Sequence, residues 1–304
     1  MSTSFDQSRS GFRQSRSGPL IACALAYAVA FIAAWWSLGL VPDWDPIWAT
    51  LLADVVGTLV IFGFGMIFRN SSLYDPYWSV IPIVIALFWL ATPVIAEVNM
   101  TRGMLATLLV ALWGLRLTYN CFRRWTNMAH EDFRYQDFRK SWGKFYFVVD
   151  LFGIQLMPTI MVFAACLPLY PVTAVSNTPL NILDLVAVIV TLGAIIIETV
   201  ADQNLQQYLK SDPPAGSVCK VGLWQYSRHP NYFGEIGFWW GLYLFALAAG
   251  AEWWWTGVGA LAVNLLFVFV SIPMMEKRKR IKRPSYDEQV AGISTLIPLP
   301  ARQG

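Results

Sequence analysis

The chain has 304 residues, of which 56% are hydrophobic and only 13% are charged, and its formal net charge is +3. This composition excludes an ordinary soluble domain, in which about a quarter of the residues carry charge. The sequence lacks the strand-length alternation of a membrane barrel, and several apolar runs approach the ~20 residues that a helix needs to cross a bilayer. We therefore predict an all-α, polytopic integral membrane protein embedded in the lipid bilayer.

Eight apolar stretches follow one another along the chain and predict eight membrane crossings. They lie at about 19–41, 47–68, 79–97, 103–122, 146–170, 180–200, 232–250 and 253–274. Lys and Arg concentrate in the two tails and in alternate loops, as expected when both termini are cytoplasmic. We predict a mobile cytoplasmic tail at residues 1–18 and a single transmembrane domain over residues 19–304.

The sequence offers few residues for metal or dithiol chemistry. Its two histidines, His130 and His229, are too few for a multi-histidine centre, and its four cysteines lack CxxC spacing. We therefore predict no metal site. Nucleic acid is not an expected partner either, because the basic segments do not form a compact basic domain.

The most informative local pattern is the motif SRHPNYFGE at residues 227–235. Its proline suits the first turn of a helix, so Arg228 and His229 would lie at a helix start that attracts anions such as phosphate. Asn231 and Glu235 are four residues apart, share one helix face and can bind the same ligand. The alternative interpretation is a helix cap flanked by topology-setting charges, with no ligand.

A second polar segment is the loop 123–144, which combines six basic residues with several aromatic rings. Guanidinium groups bind phosphate and planar rings stack on heterocycles, so the loop suits a phosphorylated, base-bearing ligand, although a solvated loop has a similar composition. Ionisable residues at membrane depth are candidate functional groups, and together they predict a polar chamber that opens to the cytoplasm. These residues are Asp75, Arg116, Glu198, Asp202 and Glu235.

Around the 227–235 motif the sequence resembles the steroid 5α-reductase superfamily, with a weaker likeness to sterol C14 reductases and isoprenylcysteine methyltransferases. The preceding Gly222-Leu223-Trp224 and the later Met275-Glu276-Lys277-Arg278 extend the resemblance, which runs from Tyr74 to Pro300. The resemblance implies a seven-helix reductase core, to which the first helix is an addition. It also implies an NADPH-dependent oxidoreductase of steroid or lipid metabolism that reduces the Δ4 bond of a 3-oxo-Δ4-steroid to give a 5α-dihydrosteroid.

The resemblance assigns roles to individual residues. Asp75 falls where these enzymes carry a glutamate beside the substrate carbonyl, and it is the expected acid. Trp113 stands where the family has a carbonyl-polarising tyrosine, and an indole is no equivalent proton source, so Tyr77 and Tyr119 are the phenols expected to act beside the acid. The residues expected to bind NADPH are Arg116, Arg124, Asp202, Lys210, Arg228, His229, Asn231, Tyr232 and Glu235.

Two other functions are considered at this stage. A membrane methyltransferase that uses S-adenosylmethionine shares the RHPxYxG core of the motif, but Asn231, Glu235 and Asp75 argue against it. A small-molecule transporter would also carry intramembrane acids, but no inverted repeat is visible. For the reductase we expect a location in the bacterial inner membrane, where a hydrophobic steroid or other lipid enone enters from the bilayer and NADPH reaches its site from the cytoplasm.

Overall fold

The computed structural model describes residues 14–300, so most of the tail predicted at residues 1–18 lies outside the described residues. Within the described range the chain consists of helices and turns, with one isolated β-bridge between Ser227 and Ser294. Seven helical segments of this range are long and apolar enough to cross a membrane, namely Gly18–Leu38, Pro46–Phe68, Ser71–Ala91, Met100–Arg124, Phe133–Cys166, Ile182–Lys210 and Ala251–Lys282. These segments confirm the predicted polytopic helical membrane protein.

The chain forms two compact units. Of the described residues, the first unit contains 14–91 and 110–166, and the second contains 92–109 and 167–300. Each unit is described separately below. The single functional domain expected over residues 19–304 stays a prediction.

The first unit contains α1 (Gly18–Leu38), α2 (Pro46–Phe68), α3 (Tyr77–Ala91), the C-terminal part of α4 (Met100–Arg124), α5 (Phe133–Trp142) and α6, whose segments Tyr146–Val148 and Met157–Cys166 flank a π-helical stretch, Val149–Leu156. The side chain of Asp45 caps α2 by accepting a backbone N–H of the first turn at 2.9 Å. The helix ends at Arg69, whose φ of 53° is left-handed, and Asn70 donates its N–H to the C=O of Gly65 at 3.0 Å. This ending directs the chain into the turn that carries Asp75.

Helix α1 illustrates how these helices divide between protein and lipid. Ala22, Ala26 and Ala30 recur every four residues, are buried, and pack in the cluster that includes residues of α2. The opposite face exposes large apolar side chains such as Ile32 and Trp36. Such a face is expected where lipid rather than water surrounds the helix.

The second unit contains the N-terminal part of α4, α7 (Ile182–Lys210), α8 (Pro230–Ala249), α9 (Val258–Leu266), α10 (Ile272–Lys282) and α11 (Tyr286–Gln289). A capping box between Asn181 and Asp184 begins α7. Arg102, on the first turn of α4, donates to both carboxylate oxygens of Asp184 at 2.7 and 2.9 Å. This buried ion pair fixes the start of α4 to the start of α7.

The seventh apolar stretch predicted from the sequence, at about residues 232–250, forms α8, which is not among the seven strongly apolar segments. More than half of its 20 residues are buried, and it packs along α7. The helices approach closely at two glycines, Gly241 beside Thr191 and Gly234 beside Glu198. Because α8 is largely enclosed by protein, its sequence needs less apolar surface than a helix that faces lipid.

Candidate functional site

The turn between α2 and α3 carries Asp75. Ser71–Tyr74 form a short 3-10 helix, and the side chain of Asn70 caps it by accepting the N–H of Ser72 at 3.0 Å. The N–H of Asp75 then donates to the C=O of Ser72 at 3.0 Å. Local hydrogen bonds therefore fix the backbone from which the Asp75 carboxyl group extends.

The basic loop 123–144 folds onto this turn. The amide of Asn70 donates to two carbonyls of the loop, at 2.9 and 3.0 Å. The carboxylate of Glu131 accepts the N–H of Ser71 at 2.9 Å and the guanidinium of Arg139 at the same distance. Part of the charge that the sequence suggested for a phosphate ligand is thus used to attach the loop to the turn.

Asp75 contacts the phenol group of a tyrosine from this loop. The hydroxyl of Tyr135, a buried residue at the start of α5, donates to Oδ1 of Asp75. The guanidinium of Arg134 lies 3.6 Å from the same oxygen and is oriented by Asp132 at 2.7 Å. The Asp75 side chain remains 18% exposed. A carboxyl and a phenol in contact, with a cation nearby and access from outside, can donate a hydrogen bond to a carbonyl oxygen.

The two tyrosines suggested by the sequence lie elsewhere. Tyr77 is buried and donates its hydroxyl to Oδ1 of Asp54 on α2 at 3.0 Å. Tyr119 projects outward from α4 and is 65% exposed. Residues two apart do not share a helix face, which explains why Tyr77 points away from Asp75. The structure therefore gives Asp75 a different phenol, Tyr135.

Helix α4 carries two of the predicted cofactor residues and the tryptophan that replaces the expected tyrosine. Trp113 is fully buried and packs on Trp78 with ring centroids 6.1 Å apart. Arg116, one turn further along, is partly buried. Arg124 is exposed at the helix end, where its Nε donates to the C=O of Asn120 at 3.1 Å. Trp113 thus belongs to the core of the first unit.

In the second unit, the 227–235 motif starts α8 at its proline, as predicted. The C-terminal segment of the chain runs beside the residues that precede the helix. The hydroxyl of Ser227 donates to the C=O of Leu296 at 2.7 Å, and the N–H of Arg228 donates to the C=O of Ser294 at 2.8 Å. The backbone before the helix start is therefore held by a segment nearly seventy residues away.

Glu276, on α10, accepts hydrogen bonds from polar side chains of the motif. Its carboxylate accepts from Arg228 at 2.6 Å, from Nε2 of His229 at 2.8 Å and from the hydroxyl of Tyr286 at 2.7 Å. Lys279 lies 3.5 Å away. Arg228 and His229, predicted to contact phosphate, are thus held by a carboxylate of the same chain.

The imidazole of His229 is buried, and this burial lowers its pKa below the ordinary value despite the hydrogen bond to Glu276. The positive charges of Lys279 and Arg228 act in the same direction. His229 is therefore neutral near pH 7. Because a carboxylate only accepts hydrogen bonds, the proton lies on Nε2 and is donated to Glu276.

The first turns of α8 present Asn231 and Glu235 on one face, as predicted. Oδ1 of Asn231 is buried and accepts no hydrogen bond within the described residues. Glu235 is buried, and its Oε1 accepts the indole N–H of Trp239 at 2.9 Å. Tyr232 stacks on the ring of His229 with centroids 5.1 Å apart. These side chains form a polar and aromatic surface at the start of α8.

The C-terminal turns of α7 carry Asp202, which is partly buried, and Lys210, which is exposed at the helix end. The Gly-Leu-Trp segment that precedes the motif packs here. The indole N–H of Trp224 donates to the C=O of Ala201 at 2.8 Å. The structure thus brings the Gly-Leu-Trp segment against α7 beside Asp202, within the second unit.

Within the described range, no group of three or more His, Cys, Asp or Glu residues is arranged to hold a metal ion. The four cysteines are free thiols. A cavity of about 360 Å³ lies in the first unit and is lined by Arg16, Ser17, Pro19, Leu20, Phe122 and Trp125. It does not include the predicted site residues.

Three residues of these polar clusters were not selected from the sequence. Tyr135 lies sixty residues from Asp75, although it belongs to the aromatic, basic loop 123–144. Glu276 belongs to the Met-Glu-Lys-Arg segment of the resemblance. The sequence around it does not indicate that it pairs with Arg228, because the two residues are far apart in the chain. Asp54 was visible as a single acid inside an apolar run, which is a signal that sequence reasoning can use.

The two polar clusters and the surrounding helices define a polytopic helical membrane protein with candidate sites built on the Asp75 turn and on the 227–235 motif. Residues 61–291 match the family model described as "Protein of unknown function (DUF1295)". The chain belongs to this family, and the matched region contains all the predicted site residues.

A curated relative extends the comparison. The "Uncharacterized protein C594.04c" of Schizosaccharomyces pombe is 27% identical over 271 residues, which are 82% of this chain and 78% of the relative. No solved structure matches the chain.

Proposed function

We propose that this protein is an NADPH-dependent reductase of the carbon–carbon double bond of an enone in a membrane lipid. A 3-oxo-Δ4-steroid, reduced to the 5α-dihydrosteroid, is the substrate class to test first. The hydrogen bond between Tyr135 and Asp75 carries the proposal. A phenol beside a carboxyl group in a membrane-embedded helical unit is suited to polarise a carbonyl and to supply a proton.

Two sequence observations support this choice. The DUF1295 family is related to the steroid 5α-reductases. The resemblance to these enzymes includes the acid at position 75 and the asparagine and glutamate of the 227–235 motif. Tyr135 offers the phenol that the sequence lacks at Trp113.

The residues of the second unit fit NADPH. A nicotinamide carboxamide carries two N–H donors, and Asn231 and Glu235 offer acceptors on one face of α8. Oδ1 of Asn231 is buried and has no hydrogen-bond partner in the described part of the chain, and such a donor would satisfy it. The N-terminus of α8 favours anionic groups through the backbone N–H groups of its first turn. When bound, NADPH supplies the hydride.

The first unit would act on the substrate. Negative charge develops on the carbonyl oxygen as the β-carbon is reduced, and the Asp75–Tyr135 pair donates a hydrogen bond to that oxygen. A donor aimed at a developing oxyanion contributes about 3–4 kcal/mol. Arg134 adds positive charge close to the pair. Protonation of the α-carbon then completes the saturated ketone.

The direct test uses detergent-purified protein with NADPH and either testosterone or progesterone. We expect loss of NADPH absorbance only when the enone is present, and a product heavier by two hydrogens at the Δ4 bond. NADPH binding without steroid turnover would contradict the steroid substrate and direct the search to polyprenoid or long-chain enones. Binding of S-adenosylmethionine instead of NADPH would overturn the reductase and favour the methyltransferase.

A further inference from the structure

A second polar cluster lies in the first unit and is not used by the proposed chemistry. Asp54 lies on the buried face of the membrane helix α2 and is only 4% exposed. Its Oδ1 accepts the hydroxyl of Tyr77 at 3.0 Å. Its Oδ2 is buried and has no hydrogen-bond partner within the described residues.

This second oxygen needs a partner in either protonation state. An ionised Oδ2 requires a donor, and a protonated Oδ2 is itself a donor that requires an acceptor. Lipid tails offer neither, so leaving the group unsatisfied in a membrane helix is unfavourable. A hydroxyl group satisfies both states because it donates and accepts, and a carbonyl group satisfies the protonated state because it accepts.

A glycine on α2 makes room for the contact between Asp54 and Tyr77. A Cβ atom at Gly57 on α2 would lie 2.5 Å from the Tyr77 hydroxyl, so a glycine at this position lets the phenol reach the helix. The rings of Tyr77 and Tyr74 are 5.6 Å apart. The hydroxyl of Tyr74 bonds to that of Thr159 at 2.8 Å. The polar cluster thus continues to the residue that precedes the proposed acid in the chain.

A carboxyl group with a purely structural role looks different in this protein. Asp184 in the second unit uses both of its oxygens, which accept from Arg102 at 2.7 and 2.9 Å. Among residues 14–300, Asp54 has no such partner for Oδ2. The contrast points to a partner for Asp54 that comes from outside the chain.

We propose that Asp54 and Tyr77 form a second polar contact for the lipid substrate and bind an oxygen atom remote from the enone. The preferred lipid would then carry two oxygens, the enone carbonyl and a distal hydroxyl or carbonyl. This inference rests on the proposed function only for the choice of an enone lipid. The cluster would determine specificity without taking part in the chemistry.

The test measures equilibrium binding of two labelled lipids to the detergent-purified full chain without NADPH. Testosterone carries a distal hydroxyl, and androst-4-en-3-one is the same enone without it. We expect the wild-type protein to bind testosterone at least about 10-fold more tightly, because a site built to hydrogen-bond a hydroxyl discriminates against an analogue that lacks it. Asp54→Leu should bring the ratio close to one by weakening testosterone alone.

Two further variants and a control keep the test decisive if Asp54→Leu folds poorly. Asp54→Asn keeps the shape and hydrogen-bonding capacity and should retain most of the preference, whereas Tyr77→Phe should reduce it. Thr50→Val, on the same helix, removes a hydroxyl that already accepts from Trp89 at 3.0 Å and should leave the ratio unchanged.

An unchanged ratio in folded Asp54→Leu, or an equal loss for both lipids, would show that Asp54 has only a structural role. A wild-type ratio near one would also overturn the inference. These outcomes are independent of the proposed reaction, since failure of NADPH oxidation would defeat the reductase while the binding ratio still reports on Asp54.

Discussion

Tyr135 gives Asp75 a phenolic partner from a distant part of the chain, so its hydroxyl can be tested separately from the acid. Tyr135→Phe removes only this hydroxyl. We expect kcat to fall by about 10²–10³-fold, because the Asp75–Tyr135 pair that donates to the developing oxyanion is broken, while binding of lipid and NADPH is little changed. Steady-state rates and equilibrium binding of both ligands measure the two effects.

Tyr119→Phe is the matched control. The sequence also suggests Tyr119 for the catalytic role, but the residue is exposed on α4. Removal of its hydroxyl group should change kcat by less than about 2-fold, as expected for a surface substitution. A large loss in Tyr119→Phe together with normal rates in Tyr135→Phe would reverse the assignment.

Asn231 tests the cofactor half of the proposal. Asn231→Leu replaces the unpartnered carbonyl oxygen by an apolar group of similar size. NADPH binding should weaken by about 1–3 kcal/mol, roughly 5- to 150-fold, if this oxygen accepts a carboxamide N–H. Fluorescence titration with NADPH measures the change. Asp75→Asn should bind NADPH normally, and an equal effect of the two substitutions would contradict the division of roles.

His229 makes stability depend on pH. Its pKa is lowered in the folded protein by burial, so the unfolded chain takes up a proton first as the pH falls. The contribution of His229 is therefore present above its ordinary pKa of about 6.5 and is lost as the pH falls through the lower folded value. Glu276, Arg228, Lys279 and Tyr286 surround the ring and shape this balance.

Thermal unfolding in detergent between about pH 7 and pH 5 checks this prediction. The wild-type unfolding temperature should fall more steeply with acidification than that of His229→Gln, which keeps a donor but cannot take up a proton. Parallel curves for the two proteins would show that His229 does not contribute to the pH dependence.

At the scale of helices, α7 and α8 depend on a close approach at Gly241. A Cβ atom here would overlap Thr191, lying 2.9 Å from its backbone N. Gly241→Ala should therefore separate the helices and cost about 1–3 kcal/mol of stability. NADPH affinity should fall as well, because Asn231 and Glu235 lie on the displaced helix. Unfolding in denaturant and cofactor titration provide the two readouts.

Gly193→Ala is the control on α7. An added Cβ at this position meets no atom within 4 Å, so the substitution only raises helix propensity. Stability should be unchanged or slightly higher. Equal destabilisation by both alanines would show that loss of the close α7–α8 approach at Gly241 is not the cause.

At the scale of the whole chain, local periodicity predicted the helices and the motif proline predicted the start of α8. The spacing of Asn231 and Glu235 also placed them on one face. The partners of Asp75 and His229 were not predictable in this way, because Tyr135 and Glu276 come from distant segments and their contacts depend on tertiary packing. Sequence patterns report on neighbours along a helix, whereas polar clusters form between helices.

The number of membrane crossings is the remaining prediction at this scale, and it depends on α8. With 20 residues the helix is about 30 Å long, enough to cross the hydrocarbon core, and its burial accounts for its weaker apolar character. We therefore expect eight crossings with both termini on the cytoplasmic side. Seven crossings would place the termini on opposite sides.

Epitope tags at each terminus distinguish the two topologies when antibody access is compared between intact cells and inverted membrane vesicles. Both tags should be accessible only in the vesicles. A tag inserted between α1 and α2 is the control and should be accessible in intact cells, because one crossing separates this loop from the N-terminus. A C-terminal tag accessible in intact cells together with a protected N-terminal tag would exclude α8 as a crossing. Such a result would also contradict the cytoplasmic position that the charge pattern predicts for the C-terminal Lys and Arg residues.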